Sequence, residues 1–309
     1  MNSILDLIEK TLTKHVASEI DEIKIEEQPV KKGYNSQSIH RYKVIYRYHN
    51  NHKEISVIIK EARLVERKVL YHLNAQAASV PYCFADDLEM DVSANICMQD
   101  IDYCTDYSKL DTALIVDHIG SSLAHIHGAN YQYKHQLGWL PFADRRYIEV
   151  ILKERWKPYW DKALMNSEFV DSFKTYIPEI EVISSKIIDD MERVLMDESS
   201  HTLIHTDLHP GNVLAQNTNK VYMIDWDEAH YGSFYLDIPI QFGMPEEAEV
   251  YWGKLFNNGI EIPHKVYMER FRIASRYTGL RYMAWTLGAW ADDHNNTEYL
   301  YRYLNMVVQ

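Results

Sequence analysis

Two neighbouring stretches hold the residue types that chemistry needs: His205-Thr206-Asp207-Leu208-His209-Pro210-Gly211-Asn212, and Val221-Tyr222-Met223-Ile224-Asp225-Trp226-Asp227. Phosphoryl transfer asks a protein mainly for position and charge neutralisation. It needs a base near the acceptor hydroxyl, oxygen ligands for Mg²⁺, a cation on the nucleotide phosphates and a backbone loop over them. Asp207 is the candidate base, with Asn212 and Asp225 as metal ligands. Two β-segments joined by a tight turn over Gln216 to Asn219 bring Asn212 and Asp225 to opposite sides of one ion, and Mg²⁺ takes few protein ligands because it keeps its waters. The same stretch supports a second chemistry. His205-x-Asp207-x-His209, completed by Asp225, Asp227 or His230, reads as the metal cluster of a metallohydrolase.

The upstream sequence weighs toward phosphoryl transfer. Asp207 and Asn212 have the Asp-x-x-x-x-Asn spacing of a kinase catalytic loop, and Val57-Ile58-Ile59-Lys60 ends a strand on a lysine as Val-Ala-Ile-Lys does in kinases. Glu66, on the next helix, is the natural partner for that lysine. Alone, Lys60 reads as a surface lysine closing a strand. Ordered ahead of a base and two ligands, it is the cation for the nucleotide phosphates, and His205 and His209 become loop-bracing side chains.

With these residues in place the chain resembles the aminoglycoside phosphotransferase and choline kinase-like family, small-molecule kinases with a protein-kinase-like bilobal fold. HTDLHPGN with IDWD is similar to that family's H-G-D-L-H-P-G-N and I-D-W/F/Y pair. Leu123-Ala124-His125-Ile126-His127 resembles its first large-lobe helix, and Asp237 matches its trailing, structural aspartate. The resemblance implies transfer from ATP or GTP with Mg²⁺, in a cytoplasmic enzyme of the antibiotic-resistance type. It implies nucleotide contacts at Lys60, Glu66, Ser36, Gln37, Gln99 and Ile101. Departures are visible. Gly33-Tyr34-Asn35-Ser36-Gln37-Ser38 has a single glycine, Thr206 stands where the family has glycine, and Trp226-Asp227 replaces Phe-Gly, so no activation-segment flip is expected. An intact set of Lys60, Asp207, Asn212 and Asp225 argues against a pseudokinase that only binds nucleotide.

The elements that must position these residues divide at about residue 100. An amphipathic helix over 3–20, capped by Ser3, precedes strands over 23–29, 39–48 and 54–60, a helix over 62–73 and short strands over 82–86 and 94–98. This predicts an α+β architecture: a small antiparallel sheet with a helix in a nucleotide-binding lobe, 1–100, and a larger, mostly helical catalytic and substrate-binding lobe, 101–309. The second lobe is expected to carry helices over 112–127, 147–164, 167–176, 178–196, 236–257, 265–291 and 297–307. Strands near 213–215 and 221–224 interrupt them. At 309 residues the chain exceeds the ~250–300 at which single cores stop growing, consistent with two lobes.

Composition narrows the partners. A net charge of −13 argues against nucleic acid, whose phosphates demand a basic surface. Residues 1–103 hold 13 Lys+Arg against 16 Asp+Glu, and the remainder 19 against 29, so the acidity lies where a cationic acceptor would bind. Three cysteines without a CxxC pair suggest reduced thiols, and no apolar run approaches the ~20 residues of a membrane span. The acceptor is expected to be an aminoglycoside-like cation, with choline, a macrolide, a sugar or an amino alcohol as alternatives, in a monomer or homodimer. Asp227, Glu228 and Trp285 are its candidate contacts. Trp156, Tyr159, Trp160, Tyr282 and Trp290 form aromatic stripes that read first as helix-packing core.

Overall fold

The computed structural model describes all residues except 1–3, 17–18, 30–38, 50, 85–87, 90, 105, 107–108, 219 and 295–296. Ser3, Ser36 and Gln37 lie outside the described residues. The chain divides into two compact units, one of residues 1–122 and 211–229, the other of residues 123–210 and 230–309.

The first unit opens with helix α1 (Ile4–Val16), whose apolar stripe buries Leu7, Ile8 and Leu12. Strands β1 (Asp21–Gln28), β2 (His40–Tyr48) and β3 (Asn51–Ala62) form the expected antiparallel meander. Helix α2 (Leu64–Ala75), then β4 (Cys83–Phe84) and β5 (Ala94–Gln99), complete a sheet ordered β1-β2-β3-β5-β4. Alternation along β2 and β3 sends Tyr42, Val44, Tyr46, Val57 and Ile59 into one core with α1 and Cys97. Strand β3 runs two residues past Lys60, so this lysine lies inside the ladder, opposite Ile96. Later in the chain, a hairpin of β7 (Val213–Asn217) with β8 (Lys220–Met223) packs in the same unit. It is tied down by Met223 N–H donating to Ser79 O (2.8 Å) and Cys104 N–H donating to Ala215 O (2.9 Å).

Helix α3 (Thr112–Ala129) leads into the second unit, which is mostly helical. The helix expected over 147–164 is three pieces: α4 (Arg145–Ile151), a π-helical turn (Leu152–Trp156) and α5 (Lys157–Leu164). Helix α6 (Ser167–Phe173) follows, and the single helix expected over 178–196 breaks into α7 (Ile177–Ser184) and α8 (Ile187–Leu195). Strands β6 (His201–Ile204) and β9 (His230–Ser233), which enclose β7 and β8 of the hairpin in sequence, pair antiparallel. They were not expected. All four residues of β6 are buried, so it lacks the alternation that identifies a half-exposed strand. The helix expected over 236–257 is likewise two, α9 (Ile238–Gln241) and α10 (Pro245–Asn257). Pro245 cannot donate to a continuing ladder and opens the second.

Two final helices follow, α11 (His264–Asp292) and α12 (Glu298–Val308), and Tyr282, Trp285 and Trp290 of the aromatic stripes lie on α11. The core reading of the stripes holds for Trp156, Trp160 and Trp290, all buried. Trp160 and Trp290 both meet Phe169 edge-on. Tyr159 and Trp285 are about half exposed.

At Gly279 the two last helices approach so closely that a Cβ would lie 2.7 Å from Val307 Cγ2 and 2.9 Å from Tyr303 O. Gly279→Ala is therefore expected to lower stability by about 1–3 kcal/mol through overpacking, although alanine is intrinsically the better helix former by about 1 kcal/mol. A thermal melt checks this; an unchanged Tm would mean that α12 shifts without cost.

Candidate active site

Within the first unit, Lys60 is the centre of a charge cluster. Its ammonium lies 2.8 Å from Glu66 Oε1 and 3.1 Å from Asp225 Oδ1. The geometry follows from local folding: β3 ends two residues later, Arg63 turns the chain, and Glu66 falls in the first turn of α2, facing back to the strand. Glu66 is 1% exposed and has a lysine to meet it, as a buried carboxylate requires. Burial opposes the Lys60 charge, but its two carboxylate partners outweigh it and hold the ammonium protonated above the ordinary lysine range. For Glu66 burial dominates and, against the pull of Lys60, pushes the carboxyl up to about 7.

Asp225 follows the hairpin in a left-handed conformation, φ 66° and ψ 57°. Aspartate tolerates this region better than most side chains. Ile224 N–H donates to Asn212 O at 3.0 Å, so the two candidate metal ligands leave adjacent points of one short ladder, as their spacing predicted. An amide oxygen and a carboxylate are the hard donors that Mg²⁺ takes, and the donor set fits that ion. Asp227 is engaged. Arg63 forks onto both of its carboxylate oxygens and donates to its carbonyl at 3.1 Å. Glu228 is partly exposed beside it. Gln99 is held at the end of β5, its amide N–H donating to Tyr82 O at 2.7 Å, and Ile101 is buried.

Within the second unit, Asp207 stands just after β6. The turn that delivers it is strained: Thr206 has φ 64°, which costs a β-branched residue about 1–2 kcal/mol and a glycine almost nothing. A glycine, as in the motif that this loop resembles, would take up this conformation without that cost. Here Asp237 compensates, since its fully buried carboxylate accepts the amide N–H of His205 (2.8 Å) and of Thr206 (2.7 Å). His127 Nε2 lies 3.2 Å from the same carboxylate, and His127 Nδ1 is 2.8 Å from Tyr251 Oη. Gln241 braces the loop further on, donating to Leu208 O at 2.6 Å. His205 is fully buried, with Nδ1 3.4 Å from the Asp207 amide, which fits the loop-bracing role expected of it.

Asp207 itself receives the Tyr282 hydroxyl at 2.8 Å, with Arg281 Nη2 3.5 Å from the same oxygen. Burial would raise its carboxyl. The Arg281 guanidinium, the Tyr282 hydroxyl and the two nearby histidines more than offset this, and it is held below the ordinary aspartate range. Trp285, one helical turn beyond Tyr282 on α11, is 49% exposed and rests against Tyr299 and Tyr303. Arg281, Tyr282 and Arg63 were not singled out for the site by sequence. Tyr282 was visible only as part of an aromatic stripe. No group of three or more His, Cys, Asp or Glu among the described residues is placed to share a metal ion, so His205, Asp207 and His209 do not assemble as a hydrolase cluster.

The family model described as "Phosphotransferase enzyme family" (APH) matches residues 60–251. No curated protein sequence matches the chain. Among solved structures, a spectinomycin phosphotransferase in complex with ADP and spectinomycin is similar at 16% identity and a TM-score of 0.56. The match covers 97% of this chain and 92% of that one. A thermostable aminoglycoside phosphotransferase in ternary complex with ADP and hygromycin B matches at 14% identity and TM-score 0.53, over 97% of each chain. An aminoglycoside phosphotransferase from Alicyclobacillus acidocaldarius matches at 12% and 0.56, over 91% of this chain and 88% of that one. At these identities the likeness concerns the fold, which is the protein-kinase-like one that the sequence implied. No helix of the described residues is long and apolar enough to cross a membrane.

Two expectations follow. Asp237→Ala leaves the His205 and Thr206 amides without their acceptor and strips His127 of its carboxylate, and should cost about 3–5 kcal/mol in urea unfolding; a loss below about 1 kcal/mol would show that the loop holds without the clamp. Glu66 keeps its proton to a higher pH folded, about 7, than unfolded, about 4.3. Stability should therefore fall as pH rises across that window, and Glu66→Gln should flatten this part of the Tm-against-pH curve. An identical slope in the variant would assign the pH dependence to other groups.

Proposed function

The chain belongs to the APH phosphotransferase enzyme family of small-molecule kinases, and we propose that it moves the γ-phosphoryl group of ATP or GTP to a hydroxyl of an aminoglycoside-like cation. The observation that carries this is Lys60 held between Glu66 and Asp225, at 2.8 and 3.1 Å. A lysine fixed by a buried helix carboxylate, beside an aspartate with a second hard oxygen donor close by in the same ladder, is what nucleotide phosphates and their Mg²⁺ require.

The roles follow from the chemistry of each group. Lys60 neutralises phosphate charge, and Glu66 keeps its ammonium from swinging toward solvent. Asn212 and Asp225 would hold Mg²⁺, which when bound screens the phosphate oxygens and the charge that develops on them. Lys60 meanwhile shields the Asp225 carboxylate from the repulsion of its acidic neighbours. Asp207 receives the acceptor hydroxyl and takes its proton as the oxygen attacks. Its low pKa keeps it ionised throughout the neutral range and makes it a positioning base rather than a strong one. Ser36, Gln37, Gln99 and Ile101 are proposed to contact the nucleotide. The division of labour read from the sequence, nucleotide on 1–100 and catalysis and acceptor on 101–309, is kept as a proposal, with Asn212 and Asp225 supplying the nucleotide side.

A cationic acceptor is supported by the acidity of the residues after 103 and by the exposed Trp285 with Tyr299, on which a cation or a sugar face can rest. An acceptor ammonium at Asp227 would compete with Arg63. The spectinomycin and hygromycin B bound by the similar enzymes make these two the first acceptors to test.

The test is a phosphoryl-transfer screen with ATP and with GTP over spectinomycin, hygromycin B, other aminoglycosides, macrolides, choline and sugars. Asp207→Ala should reduce turnover by at least about 10²-fold while nucleotide affinity stays within a few-fold, and Asp225→Ala should weaken Mg²⁺-nucleotide binding itself. Full turnover by the Asp207→Ala protein would remove it as the base. Tightly held zinc in protein purified without added metal, with no thermal shift on adding Mg²⁺-nucleotide, would overturn the kinase assignment.

A further inference from the structure

We propose that Arg281 and Tyr282 are positioning residues that hold the Asp207 carboxylate in the one orientation from which it meets the acceptor hydroxyl. This rests on Asp207 being the acceptor-side base. Both residues reach the same oxygen, Oδ1: the Tyr282 hydroxyl donates to it at 2.8 Å, and Arg281 Nη2 lies 3.5 Å away. A carboxylate at the end of a short side chain rotates about two torsions. A hydrogen bond and a charge applied to a single oxygen set both torsions, and phosphoryl transfer, which depends on alignment, is sensitive to them.

The two side chains are themselves fixed by the fold, as a positioning pair must be. Arg281 is 4% exposed, and its Nη1 donates to the Tyr147 hydroxyl at 3.0 Å. Tyr147 is set by the first turn of α4, where its amide donates to the capping Asp144 at 3.0 Å. The guanidinium carbon lies 5.3 Å from the centre of the Tyr282 ring, within cation–π range. That ring also stacks with Tyr303 of α12, centroids 6.1 Å apart and planes at 22°. Tyr303 can come this near because Gly279, one turn before Tyr282, lets the α12 backbone approach. Two helices and a capped turn thus converge on one carboxylate oxygen. A buried arginine in a mostly apolar helix needs a compensating reason, and setting the base is one.

Tyr282→Phe removes a hydroxyl and keeps the ring, so it tests position without emptying the core. The probe is hydrolysis of Mg-ATP, with water in place of the acceptor, and the assay is repeated with any acceptor that the screen identifies. Tyr282→Phe should lower kcat about 10- to 100-fold with the KM for ATP within about twofold. In an Asp207→Ala background the same substitution should cost nothing more, because the group that it positions is gone. Arg281→Lys, which keeps the charge but loses the fork, should fail to restore full kcat. A crystal structure of the Tyr282→Phe protein should show the Asp207 carboxylate turned from its present rotamer. An unchanged kcat, an equal loss in both backgrounds, or, where hydrolysis is too slow to measure, an unmoved carboxylate would overturn the proposal. The Asp207→Ala protein separates this from the kinase assignment: if it turns over fully, the base itself is wrong, whereas if it is inactive and Tyr282→Phe keeps its full kcat, only the positioning pair falls.

Discussion

A buried carboxylate, Asp237, holds the chain at the point where it must turn left-handed. Two consecutive amides, of His205 and Thr206, donate to it, and His127 lies against the same group. Each of these is individually unfavourable in an apolar interior: a charge without water, two amides outside a ladder and a threonine at φ 64°. Together they satisfy one another. The result is a braced turn immediately before Asp207, which fixes where the candidate base leaves the backbone, while Tyr282 and Arg281 contact its carboxylate. The extent of the polar burial, running through His127 to the Tyr251 hydroxyl, keeps that turn from relaxing.

A second economy of charge operates around Lys60. Its ammonium would be unfavourable in its half-buried place without Glu66, and Glu66, at 1% exposure, would be neutral without Lys60. The pair is a weak source of stability, since buried ion pairs rarely repay their desolvation. Lys60 also meets Asp225, at 3.1 Å. Arg63 does the same for Asp227, so the two acidic residues on either side of Trp226 are each met by a cation from the end of β3 or the start of α2. The Asp225-Trp226-Asp227 turn is held at both carboxylates, with the indole buried between them.

The acceptor side is built differently. Its candidate surface is aromatic, lies on the two last helices and shows partial exposure at Trp285 and Tyr299. Aromatic faces bind cations and sugars through shape and quadrupole more than through defined hydrogen bonds. Such a wall is compatible with several acceptors, in contrast to the strict oxygen and nitrogen geometry required by phosphate.

Much of the nucleotide side was legible in the sequence because it is local. Asn212 and Asp225 flank one short hairpin, and Lys60 closes an apolar strand run six residues before Glu66, so chain geometry alone brings each of these pairs near. The helix glutamate follows within two helical turns. The antiparallel meander and the helical character of the second unit were likewise carried by periodicity. What the sequence could not determine was pairing between distant segments. Arg63 and Asp227 are separated by 164 positions, Tyr282 and Asp207 by 75, and the strands flanking the catalytic loop are too short and too uniformly buried to alternate. Of the breaks in three expected helices, one falls at Pro245, which the sequence displays, and one is a π-helical turn over Leu152–Trp156 that no period records. The order of chemical groups along the chain thus determined the reaction. Which side chains hold those groups in place was decided only in the folded protein, where burial makes each unmet charge and each unmet amide costly enough to select its partner.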